Sequence, residues 1–148
     1  MGSLVVPAQG IVYLDANCII YRVERIEPYL SKLLPAFDAA KLGSISLVTS
    51  ELSLVECLVA PVRNQDRDLE DRFRSVLCQS RELQTTSISA GVLERVIRIR
   101  ADHGLRIPDA IHAATAQELK VSAFYTNDPI FKRVQGLPVQ VLSESLGD

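Results

Sequence analysis

The sequence predicts an α/β protein with a parallel sheet of about five strands and helices on both faces. Two patterns predict this fold class. Short segments with the composition of strands alternate along the chain with longer segments whose apolar residues recur at helical spacing. The strand segments are apolar throughout, which is typical of strands that are buried on both faces of a parallel sheet.

The predicted strands are short runs of apolar and β-branched residues: 11–14, 44–48, 83–88, 123–126 and 139–142. The predicted helices occupy the segments between them: 18–26, 29–42, 51–60, one that ends at 79, 89–103, one that begins at 108 and a short one that begins at 128–129. We expect Thr49 or Ser50 to cap the third helix and Pro61 to stop it. Ser89 should cap the fifth helix, and Gly104 should end it.

Length and composition indicate a single domain over residues 1–148. With 47% hydrophobic and 23% charged residues, the chain can bury a core of its own. No linker, repeat or low-complexity segment interrupts it, and we expect flexible ends at 1–10 and 143–148. Because we find neither a signal peptide nor a run of roughly 20 apolar residues, we expect a cytoplasmic protein without a membrane partner.

Charge and cysteine content argue against several classes of protein. The formal net charge of −2 gives no general attraction to nucleic acid, so such binding must come from local patches. Cys18, Cys57 and Cys78 are odd in number and form no CxxC pair, which argues against a disulfide framework or a zinc cluster. Cys18 and Cys57 neighbour candidate site residues, and are either small core residues or, if exposed, redox-sensitive thiols.

Ligands bind to parallel sheets beyond the carboxyl ends of strands, where the strand order reverses, and three of four candidate acidic residues fall there. Asp15 ends the first predicted strand, Asp128 follows the fourth, and Glu56 lies in a helix after the second, so these three belong to one rim. Asp109 lies in the first turn of a helix. Each Asp also has a purely structural explanation, as an Asx turn (Asp15), a complement to a helix dipole (Asp109) or a helix cap (Asp128).

Glu56 is harder to explain structurally, because its helix is almost wholly apolar. On a helical wheel it lies beside Leu52, Val59 and Ala60, so we expect its carboxylate to be buried. A buried ionised carboxylate without a partner is costly, so it should have a cation, a hydrogen-bond network or a shifted pKa. Glu51, in the first turn of the same helix, is interpreted as a structural acid.

Convergence of these carboxylates predicts a divalent cation, since like charges gathered at one rim raise each other's pKa unless a cation neutralises them. Oxygen ligands favour Mg²⁺ or Mn²⁺, whereas two histidines and no cysteine at metal-ligand spacing argue against zinc. His112, one turn after Asp109, either packs in the core or contacts substrate or orients an acid.

Four segments together resemble the PIN-domain family, and within it the VapC-like toxins of bacterial type II toxin–antitoxin systems. The segments are YLDANCIIY at 13–21, TSELSLVEC at 49–57, IPDAIHAATA at 107–116 and YTNDPIF at 125–131. Each is degenerate alone, but their order and spacing span nearly the whole chain. The resemblance implies a PIN-like fold.

The resemblance further implies an endoribonuclease that hydrolyses phosphodiester bonds of single-stranded or looped RNA. The acids of the family, which hold the catalytic Mg²⁺ or Mn²⁺, map onto Asp15, Glu56, Asp109 and Asp128. Accessory roles fall to polar residues in the same segments: Asn17, where many relatives have Ser or Thr, His112, Thr126 and Asn127. Candidate phosphate contacts near the rim are Arg22, Arg25, Arg63, Arg67, Lys132 and Arg133. Relatives of this kind pair with a small antitoxin and commonly form homodimers.

Two alternative functions stay open. A phosphatase that forms an aspartyl-phosphate also has an Asp after its first strand, although Asn17 here stands where such an enzyme has a second acid. A PIN-like domain without catalysis would serve as an interaction module, although buried acids without a metal would then destabilise the fold.

Overall fold

The computed structural model describes residues 4–146, which form five strands and six α-helices. The strands are β1 (Ile11–Leu14), β2 (Ser46–Ser50), β3 (Leu83–Thr86), β4 (Ala123–Thr126) and β5 (Val139–Val141). The helices are α1 (Ala16–Val23), α2 (Tyr29–Lys41), α3 (Leu52–Arg63), α4 (Arg67–Arg74), α5 (Ala90–His103) and α6 (Ile107–Leu119). A π-helical turn (Ser75–Gln79) extends α4, and 3-10 helices cover Pro129–Arg133 and Leu142–Leu146. Within 4–146, no helix has the length and apolar character needed to cross a membrane.

The strands form one sheet in the order β3-β2-β1-β4-β5, and every neighbouring pair is parallel. From the central β1 the chain moves outward to β2 and β3, and then crosses to β4 on the other side. The strand order therefore reverses between β1 and β4, which is where sheets of this kind bind ligands. Asp15 follows β1, and Thr126 ends β4 at this point. The predicted parallel sheet of about five strands is confirmed.

Helices cover both faces of the sheet, as predicted, and each face has its own apolar core. On one face α1 and α2 pack with Val12, Leu14 and Leu47. On the other face α5 and α6 pack with Tyr13 and Phe124. Successive side chains of a strand point to opposite faces, so β1 contributes to both cores. This two-sided burial explains why the strand segments of the sequence are apolar throughout.

The start and end of α3 differ from the sequence-based expectation. Pro61 does not stop this helix, which continues to Arg63, so that prediction was wrong. A proline near the end of a helix removes only one backbone donor, and Pro61 is buried in the last turns of α3. Ser50 belongs to β2 and α3 begins after Glu51, although the Ser50 hydroxyl still accepts a hydrogen bond from the Leu52 N–H at 3.1 Å.

The two ends of α5 agree with the prediction. The Ser89 side chain accepts a hydrogen bond from the Val92 N–H, and Gly104 ends the helix in the left-handed conformation with φ +67°. The expected flexibility at 1–10 and 143–148 stays a prediction. Residues 1–3 and 147–148 lie outside the described residues, and Val5 is hydrogen-bonded to Gln140 in the C-terminal part of the chain.

Candidate active site

Asp15 lies at the switch point of the sheet, with only 4% of its surface exposed. Oδ1 accepts a hydrogen bond from the Cys18 N–H at 3.1 Å, which caps α1, and Oδ2 accepts one from the Thr126 hydroxyl at 2.5 Å. Both donors are neutral, and no Lys or Arg within residues 4–146 forms an ion pair with Asp15. Burial raises the pKa of this carboxyl, although the hydrogen bond from Thr126 opposes the rise.

Glu56 lies beside Asp15 but is not buried, since 32% of its side chain is exposed. The prediction of burial was wrong because apolar residues cover two faces of α3. The inner face carries Ser53 and Cys57, whereas Val55 and Val59 are exposed, so the helical wheel does not identify which face meets the core. The expected hydrogen-bonded partner is present, because Glu56 Oε1 lies 2.6 Å from a ring nitrogen of His112.

His112 is both a packing residue and a partner of an acid, so the two sequence-based interpretations coincide. Its side chain is 3% exposed, and Nε2 contacts Glu56 while Nδ1 lies 2.6 Å from the Tyr13 hydroxyl oxygen. We assigned no role to Tyr13 from the sequence. A tyrosine inside a buried strand was nevertheless a signal, because its hydroxyl needs a hydrogen-bonding partner there.

A cavity of about 190 Å³ joins these residues, and it is lined by Asp15, Ala16, Asn17, Ile20, Glu56 and His112. It can hold several water molecules, each of which takes about 30 Å³ in the liquid. The structure thus brings together two of the four predicted acids and two of the predicted accessory residues. Both carboxylates face the same space, and carboxylate oxygens are the ligands that Mg²⁺ and Mn²⁺ prefer.

Asp128 does not line the cavity, but hydrogen bonds connect it to Asp15. The Thr126 hydroxyl donates to Asp15 and accepts from the Asp128 N–H at 3.0 Å. Asp128 Oδ1 accepts a hydrogen bond from the Ile130 N–H, so the capping role considered from the sequence is present. Thr126 therefore fixes the carboxylate of Asp15 and the backbone of Asp128 together.

The two predicted asparagines have different surroundings. Asn17 is exposed and lines the cavity. The Asn127 side chain donates to the Tyr21 hydroxyl at 3.1 Å and accepts from the Ser143 N–H at 2.8 Å. Asn127 thus links the end of β4 to α1 and to the C-terminal segment by hydrogen bonds, and its side chain does not line the cavity.

Asp109 lies in the first turn of α6, as predicted, and also stays outside the cavity lining. Its Oδ2 is 3.2 Å from Nε of Arg106, a side chain that is 77% exposed. Because α6 ends shortly before β4 begins, its first turn lies toward the carboxyl rim of the sheet. In the part of the chain that the structure describes, no group of three or more His, Cys, Asp or Glu has the geometry of a metal site.

The basic residues only partly match their expected positions. Arg22 lines a cleft with Arg81 and Glu82, which precede β3, so it lies toward the amino ends of the strands and the expectation of a position at the carboxyl rim was wrong. Lys132 is paired with Glu144. Arg63 and Arg67 are exposed on α3 and α4 and stay candidates for phosphate contacts.

Cys18 and Cys57 are buried, as expected for small core residues. The Cys18 thiol donates to the Tyr125 carbonyl at 3.4 Å. Burial raises the pKa of Cys57 to about 12, so this thiol stays protonated and weakly reactive near neutral pH. The alternative that these two residues are exposed redox-sensitive thiols is wrong.

Comparison with known proteins agrees with the geometry. The family model described as PIN domain matches residues 12–137. A chain in the crystal structure of VapBC2 from Rickettsia felis, bound to a promoter DNA fragment, has 22% identity and a TM-score of 0.67, with 88% of this chain and 98% of that chain covered. A chain of a toxin–antitoxin complex from Klebsiella pneumoniae has 23% identity and a TM-score of 0.64, with 88% and 97% covered.

A third similar structure, PAE2754 from Pyrobaculum aerophilum, has 16% identity and a TM-score of 0.63, and the match covers 99% of this chain and 91% of that one. No curated protein matches significantly by sequence. At these identities the structural likeness establishes the fold alone. The family match extends over most of the chain, and with the parallel five-stranded sheet it establishes that this protein belongs to the PIN domain family.

Proposed function

We propose that this protein is a metal-dependent endoribonuclease and the toxin of a bacterial toxin–antitoxin pair. One observation carries the proposal: a nearly inaccessible carboxylate, Asp15, forms no ion pair with a Lys or Arg within residues 4–146 and shares a cavity with Glu56. Ionised carboxylates so placed are stabilised by a divalent cation. The oxygen donors fit Mg²⁺ or Mn²⁺.

In this proposal four carboxylates hold one or two cations: Asp15, Glu56, Asp109 and Asp128. A cation held there would stabilise the charge that develops on the scissile phosphate and lower the pKa of the attacking water. The Cys18 N–H and the Thr126 hydroxyl orient the two oxygens of Asp15. Asp128 uses Oδ1 for its cap, which leaves Oδ2 for a ligand. Asn17, exposed at the cavity, can donate a hydrogen bond to a phosphate oxygen.

The proposed substrate is RNA, which would be cleaved to products with 5′-phosphate and 3′-hydroxyl ends. The PIN domain membership and the resemblance to VapC-like toxins support this substrate class. Single-stranded or looped RNA presents unstacked bases and an accessible backbone. The partly exposed Glu56 and the exposed Asn17 make the cavity accessible to such a backbone.

A cleavage assay tests the proposal directly. Purified protein and labelled single-stranded RNA should give shortened products with Mg²⁺ or Mn²⁺ and none with EDTA, because without a cation the acids repel the phosphate. Cleavage that persists in EDTA would contradict the proposal. Turnover of a phosphomonoester with a trapped phospho-enzyme would favour the phosphatase, and RNA binding without cleavage would favour the interaction module.

The proposed partner is a small antitoxin, and the outer face of α3 is the surface that we assign to it. Leu54, Val55, Leu58, Val59 and Val62 line a wholly apolar groove of about 310 Å³ on the helix that carries Glu56. An apolar segment that covers this groove can insert an Arg or Lys into the neighbouring acidic cavity. A chain similar to this one was solved in a toxin–antitoxin complex. From the resemblance to VapC-like toxins, we also propose that the protein forms a homodimer.

The toxin role predicts an effect on growth. Induced expression in bacteria should arrest growth, whereas Asp15→Asn should not, because the arrest requires cleavage. A co-expressed antitoxin that restores growth should lose its effect on a Val55→Asp, Val59→Asp variant, which keeps the acids but makes the groove polar. Continued neutralisation of that variant would contradict the assignment of the groove.

A further inference from the structure

A chain of hydrogen bonds runs from the core of the sheet to the carboxylate of Glu56. The Ser50 N–H donates to the Tyr13 hydroxyl oxygen at 3.1 Å. That oxygen lies 2.6 Å from His112 Nδ1, and His112 Nε2 lies 2.6 Å from Glu56 Oε1. The chain joins β2, β1, α6 and α3, so four separate elements fix the position of a single carboxylate.

The donor and acceptor properties of these groups select one arrangement of hydrogens. An ionised carboxylate only accepts, so the ring nitrogen that faces Glu56 must carry a hydrogen. In a neutral imidazole, Nδ1 then accepts, and the hydroxyl of Tyr13 is the donor that reaches it. The same hydroxyl oxygen has a lone pair left for the Ser50 N–H. Every group in the chain is satisfied: the carboxylate of Glu56 sets the tautomer of His112, and the Tyr13 hydroxyl donates to the Nδ1 that is left as an acceptor.

Packing holds this chain rigid. Tyr13 is completely buried, and its ring stacks on Phe124 with the centroids 5.1 Å apart. The ring of His112 contacts the ring of Tyr13 nearly edge-on. Glu56, by contrast, belongs to the partly exposed face of α3, where a long side chain would otherwise sample many rotamers. Within residues 4–146 its other oxygen, Oε2, makes no hydrogen bond, and Glu56 lines the cavity together with Asp15.

We infer that His112 is a positioning residue: fixed by Tyr13, it holds Oε1 of Glu56 so that Oε2 faces Asp15 across the cavity as a ligand for a divalent cation. This inference rests on the proposed metal site. Hydrogen-bonding partners of metal ligands set the orientation of those ligands, and their loss typically lowers metal affinity by about 10–100-fold.

Direct titration with Mn²⁺, read from the electron paramagnetic resonance signal of the free ion, tests the inference. His112→Ala should weaken binding by about 10–100-fold. His112→Gln should recover most of the affinity, since its amide can donate to Glu56 from about the same distance. Tyr13→Phe keeps the stacked ring but frees the imidazole, and should weaken binding by less than His112→Ala. His103→Gln, at the other histidine of the chain, is the matched control and should bind like the wild type.

Unchanged Mn²⁺ affinity in folded His112→Ala, or in Tyr13→Phe should the alanine variant not fold, would overturn the role of His112 alone. No binding by the wild type would overturn the metal site and this role with it. Nitrogen-15 NMR of the metal-free protein shows which imidazole nitrogens carry a hydrogen, and this measurement needs neither the cation nor RNA. With His103→Gln used for assignment, we expect a hydrogen on Nε2 and none on Nδ1 of His112, and a hydrogen on Nδ1 would overturn the arrangement.

Discussion

Replacement of Asp15 by Asn is expected to abolish RNA cleavage while leaving the metal-free protein at least as stable as the wild type. Loss of several kcal/mol of charge stabilisation in the transition state corresponds to a decrease of about 1,000-fold or more in rate. The stability should not fall, because burial of the ionised Asp15 costs more than its hydrogen bonds and the nearby His112 return, and the neutral amide avoids that desolvation. Cleavage rates and urea denaturation in EDTA measure the two effects.

The direction of the pKa shift of Asp15 predicts how the difference in stability between the wild type and Asp15→Asn changes with pH. Burial raises the pKa of Asp15, so the stability contributed by its neutral form is present below the ordinary pKa of about 4 and is lost as the pH rises through the raised value. In EDTA, the advantage of Asp15→Asn in free energy of unfolding should therefore grow above about pH 4. Asp71→Asn, at an exposed acid, is the control and should show no such trend. A wild type that is more stable than Asp15→Asn at pH 8 in EDTA would contradict the account.

The second large effect is expected at Asp109, where a structural and a functional role can be separated. Asp109 contacts Arg106, and an ion pair with an exposed side chain contributes little, about 0–1 kcal/mol. If Asp109 is a cation ligand, Asp109→Asn should lower the cleavage rate by about 100-fold or more, which corresponds to a loss of about 3 kcal/mol of transition-state stabilisation. Steady-state cleavage assays at saturating Mg²⁺ measure this loss.

Arg106→Gln is the matched control for Asp109. It removes the same ion pair and keeps the carboxylate, so its cleavage rate should stay within a few-fold of the wild-type rate. Equal losses in Arg106→Gln and Asp109→Asn would mean that Asp109 acts only through the ion pair, and would remove it from the proposed site. Thermal denaturation of both variants shows whether either change acts through folding.

The order of the elements was predictable because local chemistry determines it. Buried parallel strands are continuously apolar, and Ser89 and Gly104 are strong signals for the start and end of a helix. The rim positions of Asp15 and Asp128 followed from their places after β1 and β4. The order of the strands in the sheet was not predictable, because no local signal in the sequence indicates which strands are neighbours. Only the general rule was available, that ligands bind where the strand order reverses.

The partners of the acids were not predictable, because tertiary contacts choose them. Glu56 was expected in the core, but α3 turns Cys57 inward and leaves Val55 exposed. Nothing in the sequence places Tyr13 against His112, which is 99 residues away. Likewise, the pairing of Asp109 with Arg106 competes with a metal-binding role, and spacing along a helix does not indicate which prevails.

Anomalous diffraction from crystals soaked in Mn²⁺ tests the central claim most directly. The account predicts a Mn²⁺ peak in the cavity between Asp15 and Glu56, within about 2.3 Å of an oxygen of each carboxylate, and its absence from crystals of Asp15→Asn. A cavity without a peak at saturating Mn²⁺, or a peak bound only by other residues, would contradict it.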